Sequence, residues 1–208
     1  MGNALSFFQE FIKHPTHVGA IAPSSQALAK EMMAQARVAE CQTLAEFGAG
    51  TGVFTKAALK TLPEQAVFIA IEQNANLVRC LREDLAKECA QAPPPAWSQR
   101  YAEPPVYCDT VENLPALMQQ NKISQLDSII SGLPWAAFSD ELQDRLLQVA
   151  LDALKPNGIF CTFAYLQGLL LPAGKHFAQK INSRFAEVHK SRVVWANLPP
   201  AFIYCCRK

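Results

Sequence analysis

Residues 44–52 read Leu-Ala-Glu-Phe-Gly-Ala-Gly-Thr-Gly, and a second apolar run, Val67-Phe-Ile-Ala-Ile-Glu72, ends in an acid twenty residues after the last glycine. Two apolar runs that each end in polar residues, separated by a turn and a helical segment, are typical of a strand-helix-strand unit with parallel strands. Glycine permits positive φ and lets a ligand approach the main chain closely. This stretch therefore predicts an open α/β sheet that binds its ligand beyond the carboxyl ends of the strands.

The two acids in this unit indicate the chemistry of the ligand. A carboxylate at the end of the second strand, here Glu72, can accept hydrogen bonds from both hydroxyls of a ribose. The spacing from Glu46 is Glu-x-Gly-x-Gly-x-Gly, and the charge of Glu46 would repel a pyrophosphate at the glycine turn. We therefore expect a nucleoside that carries an amine or another cationic group. A tight turn with ordinary glycines is the alternative interpretation.

The remaining sequence alternates between strand and helix patterns up to a fifth strand, after which two strands finish the chain. We predict one globular unit with a seven-stranded, mostly parallel sheet and an antiparallel hairpin at its end. Residues 1–37 would form an amphipathic helix and a segment that covers the ligand, and residues 38–208 the ligand-binding domain. The predicted strands are 42–47, 66–71, 106–108, 126–130, 159–165, 187–195 and 201–206. The predicted helices are 4–13, 25–36, 53–61, 74–90, 114–121, 139–154 and 174–184.

The composition excludes several classes of protein. The chain has 208 residues, half of them apolar, which is enough for one α/β domain with a large core. No apolar stretch reaches the roughly 18 to 20 residues of a membrane span, and we find no secretory signal. The seven cysteines show neither a Cys-x-x-Cys pair nor the histidine spacing of a zinc site. We therefore expect a cytoplasmic protein with free thiols and no bound metal.

Charge is distributed unevenly, although the net charge is only +1. Residues 38–154 contain 8 Lys or Arg and 15 acids, whereas residues 155–208 contain 8 Lys or Arg and one acid, Glu187. A basic C-terminal quarter in a neutral protein indicates an anionic partner at one edge of the fold. A solvated face near the edge of the sheet is the alternative.

The third and fourth predicted strands also end in residues that suit a nucleoside and its reaction partner. Asp109 follows the third strand and could accept a hydrogen bond from an adenine amino group. The fourth strand leads into Ser131-Gly-Leu-Pro-Trp135. Enzymes that methylate adenine carry Asn or Asp at the position of Gly132, followed by a Pro and an aromatic residue that stacks on the flipped base. Pro134 and Trp135 fit this pattern, but Gly132 has no side chain to hold an adenine.

The Glu46 motif resembles the first motif of class I S-adenosylmethionine methyltransferases, and nearly the whole chain resembles the bacterial phospholipid N-methyltransferases, which are related to the ribosomal RNA adenine dimethylases. This resemblance rests on five stretches: Val18–Ser25, Glu46–Gly52, Ile71–Asn74, Ser131–Pro134 and Val194–Ala201. It implies a Rossmann-like methyltransferase fold with S-adenosylmethionine as the cofactor. The residues that it places at the cofactor are Ile21, Pro23, Ser24, Glu46, Gly48, Gly50, Gly52, Glu72, Gln73, Asp109, Ser131 and Gly132.

The resemblance also implies the acceptor, which would be the amine of a phosphatidylethanolamine-type phospholipid head group. The enzyme would then work in the cytoplasm or at the inner membrane face, and a nucleic-acid partner is not expected. We predict that Tyr165 orients the amine and that Trp135 contributes at the acceptor side, with His176 as another candidate base. An adenine-N6 methyltransferase acting on RNA or DNA is the main alternative, and a cofactor-binding adaptor without activity is another. The apolar segments 5–12 and 166–172 could contact a membrane or pack on the sheet.

Overall fold

A computed structural model describes residues 24–208, in which seven strands form one sheet in the order β3-β2-β1-β4-β5-β7-β6. The first five strands are parallel to one another, and β7 runs antiparallel between β5 and β6. The predicted mostly parallel sheet with an antiparallel end is therefore confirmed. The strands are β1 (Thr43–Phe47), β2 (Val67–Glu72), β3 (Val106–Cys108), β4 (Leu126–Ser131), β5 (Leu154–Tyr165), β6 (Glu187–Lys190) and β7 (Ala201–Arg207).

Helices cover both faces of this sheet. The α-helices are α1 (Gln26–Gln35), α2 (Val53–Thr61), α3 (Ala75–Cys89), α4 (Leu114–Gln120), α5 (Asp140–Ala153) and α6 (Pro172–Arg184). Short 3-10 helices lie at Val38–Glu40, Ala96–Gln99, Val111–Asn113, Trp135–Ala137 and Leu166–Leu170. No helix within residues 24–208 combines the length and the apolar character that crossing a membrane requires.

The two faces have separate hydrophobic cores. Helices α1, α2 and α3 bury their apolar side chains in the first core, and α4, α5 and α6 bury theirs in the second. Because successive residues of a strand point to opposite faces, neighbouring residues divide between the cores. Cys205 belongs to the first core and Cys206 to the second. The position of a residue in this alternation therefore decides on which face of the sheet its side chain lies.

Two strand boundaries differ from the prediction by more than one residue. β5 begins at Leu154, which pairs with Leu126, and not at 159; residues 155–158 form an irregularity inside the strand before pairing resumes at Ile159. β6 ends at Lys190 and does not continue to 195, because the Ser191 hydroxyl accepts the hydrogen bond of the Ile203 amide (2.9 Å). A side chain there replaces a main-chain acceptor, so the regular ladder ends.

Candidate active site

The turn after β1 owes its shape to three glycines with positive φ, which are Gly48 (76°), Gly50 (55°) and Gly52 (83°). A Cβ on Gly48 would lie 2.6 Å from Leu133 Cδ2, and one on Gly52 would lie 2.2 Å from a Leu81 methyl group. A Cβ on Gly50 would meet no atom within 4 Å. Two glycines are therefore required by packing within the protein, whereas Gly50 faces open space through which a ligand can reach the main chain.

Glu46 is fully buried at the end of β1, on the same face of the sheet as α2. Its Oε2 accepts a hydrogen bond from the Thr55 hydroxyl (2.7 Å), whereas its Oε1 is buried and has no hydrogen-bond partner among residues 24–208. Burial is the main cause that raises the pKa of Glu46 to about 8; the Thr55 hydrogen bond opposes this rise, and the nearby charge of Glu72 adds to it. A buried carboxylate oxygen without a partner costs free energy, so this site suits a cationic group that could supply one.

Glu72 is almost completely buried at the end of β2. Its Oε2 accepts a hydrogen bond from the Gly50 amide (2.9 Å), and its Oε1 accepts one from the Asn74 amide (2.8 Å). These two bonds fix the carboxylate against the glycine turn. Because each carboxylate oxygen can accept a second hydrogen bond, the fixed group remains suited to the two hydroxyls of a ribose.

Asp109 lies beside Glu72, since its amide donates to the Glu72 carbonyl (3.2 Å). Its Oδ1 accepts hydrogen bonds from the Thr110 amide and from the Asn113 side chain, both at 2.7 Å. Asp109 is partly exposed, and Gln73 is exposed on the turn that leads into α3. The acids predicted to follow β1, β2 and β3 therefore gather at one edge of the sheet, as parallel strands require.

The segment after β4 alternates between buried and accessible residues. Ser131 and Trp135 are buried, whereas Gly132 and the two residues that follow it are partly exposed. A Cβ on Gly132 would lie 2.7 Å from the Gly48 carbonyl oxygen, so the two glycine-containing turns touch through their main chains. Among the described residues, the Gly132 carbonyl accepts no hydrogen bond from another main-chain amide. That carbonyl is a candidate for holding an amine.

The structure places Trp135 in the second core, which differs from the acceptor-side position that the sequence predicted. Its indole N–H donates to the Ser131 hydroxyl (3.0 Å), and its ring stacks on Phe177 of α6 with centroids 5.4 Å apart. Trp135 is only 3% exposed. The side chains of Trp135 and Ser131 therefore stabilise the turn from the protein interior, and neither faces open space at the carboxyl edge.

Tyr165 ends β5 on the opposite face, where it belongs to an aromatic row that the sequence analysis did not identify. Its ring meets Phe163 edge-on at 5.5 Å, and Phe163 meets Phe54 of α2 at 5.9 Å. Phe54 in turn lies near Gly132. Burial raises the pKa of Tyr165 to about 12, so the phenol stays protonated at neutral pH. The alternation of aromatic residues two apart in β5 was the available sequence signal.

Asn197 is a second residue that the sequence analysis quoted within a motif without assigning it a role. It is 1% exposed, its Oδ1 accepts the Ser25 amide at 2.8 Å, and its Nδ2 donates to the Pro199 carbonyl at 2.7 Å. Ser25 caps α1 by accepting from the Leu28 amide (3.1 Å), and Ser24 precedes it with partial exposure. Asn197 thus joins two motifs that are 172 residues apart in sequence.

Three predicted residues lie elsewhere or outside the described part of the chain. Ile21 and Pro23 fall outside residues 24–208, as does the predicted helix at 4–13. His176 is exposed on α6, where its Nε2 lies 2.6 Å from Asp140 Oδ1. Helix α6 covers the second core and Tyr165 packs on the first, so the two candidate bases lie on opposite faces. Within residues 24–208, no cluster of His, Cys, Asp and Glu is arranged to bind a metal.

Comparisons with known proteins agree with this geometry. No protein family model matches the chain. The chain is 29% identical to the ornithine lipid N-methyltransferase of Singulisphaera acidiphila over 201 residues, which are 97% of this chain and 94% of that protein.

Solved structures are similar in fold at low sequence identity. The O-methyltransferase TomG of Streptomyces achromogenes, in complex with S-adenosylmethionine, is 14% identical with a TM-score of 0.67, covering 100% of this chain and 91% of that one. An O-methyltransferase from Bacillus cereus, in complex with S-adenosylhomocysteine, is 12% identical with a TM-score of 0.62, covering 99% and 90%. The chain has the Rossmann-like methyltransferase fold. The methyltransferase class and the cofactor predicted from the sequence agree with these proteins' names.

Proposed function

We propose that this chain is an S-adenosylmethionine-dependent N-methyltransferase that methylates the primary amine of a membrane lipid head group. The observation that carries the donor assignment is the buried Glu46 Oε1 without a hydrogen-bond partner among the described residues. Similarity to a lipid N-methyltransferase across nearly the full length of both chains supports the acceptor class.

The described residues fit S-adenosylmethionine at the carboxyl edge of the sheet. When bound, this cofactor supplies an electrophilic methyl group on a sulfonium and presents an amino group, a ribose and an adenine for recognition. Glu46 would pair with the amino group, Glu72 would accept from the ribose hydroxyls, and Asp109 would accept from the adenine amine. Gly50 would allow the main chain to approach the ligand, because no atom lies where its Cβ would be.

The acceptor side favours an aliphatic amine over a nucleobase. Gly132 has no side chain to bond the edge of an adenine, and buried Trp135 cannot stack on a flipped base without leaving its core. A small amine needs only a carbonyl acceptor and alignment with the methyl group, which is a large part of catalysis in such displacements. The Gly132 carbonyl would supply that acceptor. The RNA or DNA adenine alternative is therefore not favoured.

A lipid ammonium must lose a proton before it can accept a methyl group. Tyr165 would not remove this proton at neutral pH, because its own pKa lies at about 12. Its hydroxyl would orient the amine by hydrogen bonding, and the proton would leave to water. The ring row that includes Phe163 and Phe54 would exclude water from one side and stabilise the methylated cation by cation–π contact, which is worth about 0.5–2 kcal/mol.

Two lipids are candidates for the acceptor. Phosphatidylethanolamine is the substrate that the sequence resemblance implies, and an ornithine lipid is the substrate that the name of the 29% identical relative favours. Each ends in a primary amine, so the proposed chemistry is the same. The enzyme would reach either lipid from the cytoplasm, at the membrane surface.

The decisive experiment supplies the purified chain with methyl-labelled cofactor and with phosphatidylethanolamine, ornithine lipid or ribosomal RNA in separate reactions with detergent micelles. Label in one or both lipids supports the proposal and identifies the substrate. Label in RNA alone, or in no acceptor while the cofactor still binds, would overturn it. Glu72→Ala is the matched control, since it should abolish cofactor binding measured by calorimetry together with transfer to any acceptor.

A further inference from the structure

Large apolar side chains are exposed at only one region of residues 24–208. They are Leu170 (78% exposed), Leu171 (56%), Trp195 (69%) and Leu198 (72%), and we call this set the apolar rim. Isolated exposed apolar residues are normal on a soluble protein. Four that all belong to two short segments, with none elsewhere in the described chain, indicate a surface with a partner.

The two segments of the apolar rim leave the sheet at the same corner. Tyr165 at the end of β5 pairs with Ala201 at the start of β7. Leu170 lies five positions after Tyr165, and Leu198 lies three positions before Ala201. The Leu166 amide donates to the Pro200 carbonyl (2.8 Å), so the two segments are in contact. This corner lies at the carboxyl edge of the parallel strands, two strands from β1 and its glycine turn. The apolar rim therefore borders the candidate active site.

The exposure of the apolar rim is imposed by ordered neighbours. Leu169 packs against the second core while the next two leucines point outward. Gly174 in the first turn of α6 lies so close to Gly168 that a Cβ would approach its carbonyl oxygen to 2.1 Å. These contacts hold the 3-10 helix in place, so the two outward leucines have no route into the core.

The second segment is held in the same way. Val194 is buried and bridges to Ala201, and buried Asn197 bonds the Ser25 amide and the Pro199 carbonyl. The residues between and beside these anchors, Trp195 and Leu198, remain outside. These buried residues therefore hold the segment in a conformation that leaves two apolar side chains exposed.

Cations that remain exposed lie in the segments that carry the apolar rim. Five of the eight Lys and Arg in residues 155–208 pair with acids, and these pairs are Lys155 with Asp127, Lys180 with Asp140 and Asp144, Arg184 with Asp144, Arg192 with Glu31, and Arg207 with Glu187. Lys175 is exposed on the first turn of α6, and Arg192 is 82% exposed although its Nε contacts Glu31. Lys175 forms no ion pair among the described residues. Exposed leucines, a tryptophan and a free lysine beside them are typical of a surface that lies in a membrane interface.

We infer that the apolar rim inserts into the interface of a bilayer that contains anionic lipid, and that this contact brings the head-group amine to the active site. The inference rests on the proposed function for its substrate, and it adds the surface through which the lipid arrives. Trp195 would lie at head-group depth, where an indole can bury its ring and keep its N–H hydrated. The leucines would reach the acyl boundary, and Lys175 would meet lipid phosphates.

The tryptophans of the chain make a direct test possible. Trp97 and Trp135 are each 3% exposed, whereas Trp195 is 69% exposed. The full chain is mixed with vesicles of phosphatidylethanolamine and phosphatidylglycerol, and with the same vesicles containing brominated acyl chains. We expect a blue shift and bromine quenching of wild-type emission, and neither change in Trp195→Phe, which keeps an apolar ring but removes the reporter.

Variants measure how much the apolar rim contributes. Leu170→Gln and Leu198→Gln should each weaken vesicle binding about tenfold, because each removes the burial of one leucine side chain. Lys175→Gln should weaken it about fivefold on anionic vesicles and leave binding to phosphatidylcholine vesicles unchanged. Lys87→Gln on α3, an exposed lysine on the other half of the sheet, is the control for loss of a positive charge and should change neither.

Three results would overturn the inference: no vesicle binding, vesicle binding without bromine quenching of Trp195, or protection of Trp195 from soluble iodide in the absence of lipid. The last result would mean that residues 1–23 or a second copy of the chain cover the apolar rim. Activity in detergent micelles separates this test from the proposed function. Rim variants should methylate lipid in micelles as the wild type does and lose activity on vesicles, whereas a wild type inactive in both would refute the proposed function instead.

Discussion

Replacing Glu46 with Gln should stabilise the ligand-free protein and weaken cofactor binding at the same time. The side chain is fully buried, and only one of its two oxygens has a partner among the described residues. Gln keeps the shape and can still accept the Thr55 hydrogen bond, but it does not have to take up a proton, or bury a charge, when the chain folds. The stability gain and the binding loss therefore have one cause, which is the desolvated carboxylate.

The magnitude follows from the pKa of Glu46, which is about 8 in the folded protein against an ordinary value of 4.5. Because the folded state holds the proton more tightly, the stability from protonated Glu46 is complete below pH 4.5 and is lost as the pH rises toward 8. The loss accumulates at about 1.4 kcal/mol per pH unit. Relative to wild type, Glu46→Gln should gain nothing at pH 4.5 and about 3 kcal/mol at pH 7.

Urea unfolding of both proteins at pH 5 and pH 7.5, without cofactor, measures this difference. Glu64→Gln is the control for loss of a negative charge, because Glu64 is exposed to water in the folded chain. Cofactor affinity is measured in parallel by calorimetry with S-adenosylhomocysteine, where Glu46→Gln should bind at least tenfold more weakly. A stability difference that is the same at both pH values, or a variant that binds as tightly as wild type, would refute the reasoning.

Further predictions concern the same edge of the sheet. At pH 6.5, binding of S-adenosylhomocysteine should release about one proton from Glu46, seen as a dependence of calorimetric enthalpy on the buffer, and Glu46→Gln should abolish that release. Gly50→Ala should lower stability by only about 1–2 kcal/mol, because of its positive φ, but should remove most of the cofactor affinity. Gly52→Ala should lower stability more, because its Cβ has no space. Equal losses of stability in urea unfolding would contradict this. Trp135→Phe should lower stability by about 1–3 kcal/mol, because it removes the indole hydrogen bond to the Ser131 hydroxyl and leaves only the weaker one from the Leu133 amide. The KM for the lipid acceptor should stay unchanged, and a raised KM would restore a direct role for the indole.

Much of the fold could be predicted because its signals are local. The helix at Val53–Thr61 and the strand at Val106–Cys108 match the predicted bounds, since glycine, proline and apolar periodicity mark their ends within the segment itself. The end of β6 could not be predicted in this way. It depends on the Ser191 hydroxyl, just after β6, accepting a hydrogen bond from the Ile203 amide of β7, twelve residues further along the chain.

The same distinction between local signals and contacts of distant residues applies to the candidate site. Acids and glycines at the ends of β1, β2 and β3 could be recognised from spacing, because parallel strands bring their carboxyl ends to one edge. Thr55 and Phe54 could not, because their importance comes from what lies across the fold from α2. Asn197 was visible only as part of a motif, and its bond to the Ser25 amide joins the two ends of the described chain.

The sequence alone determined the strand-helix order, the positions that demand glycine and the acids that end three strands, since each follows from the chemistry of neighbouring residues. Tertiary structure alone decided which of these groups are buried, hydrogen-bonded or exposed. It left Glu46 with a buried oxygen that accepts no hydrogen bond from any described residue. It also buried the Trp135 side chain in the second core and exposed Trp195 beside the site. Burial and hydrogen bonding are properties of contacts between distant segments, and a linear pattern does not record them.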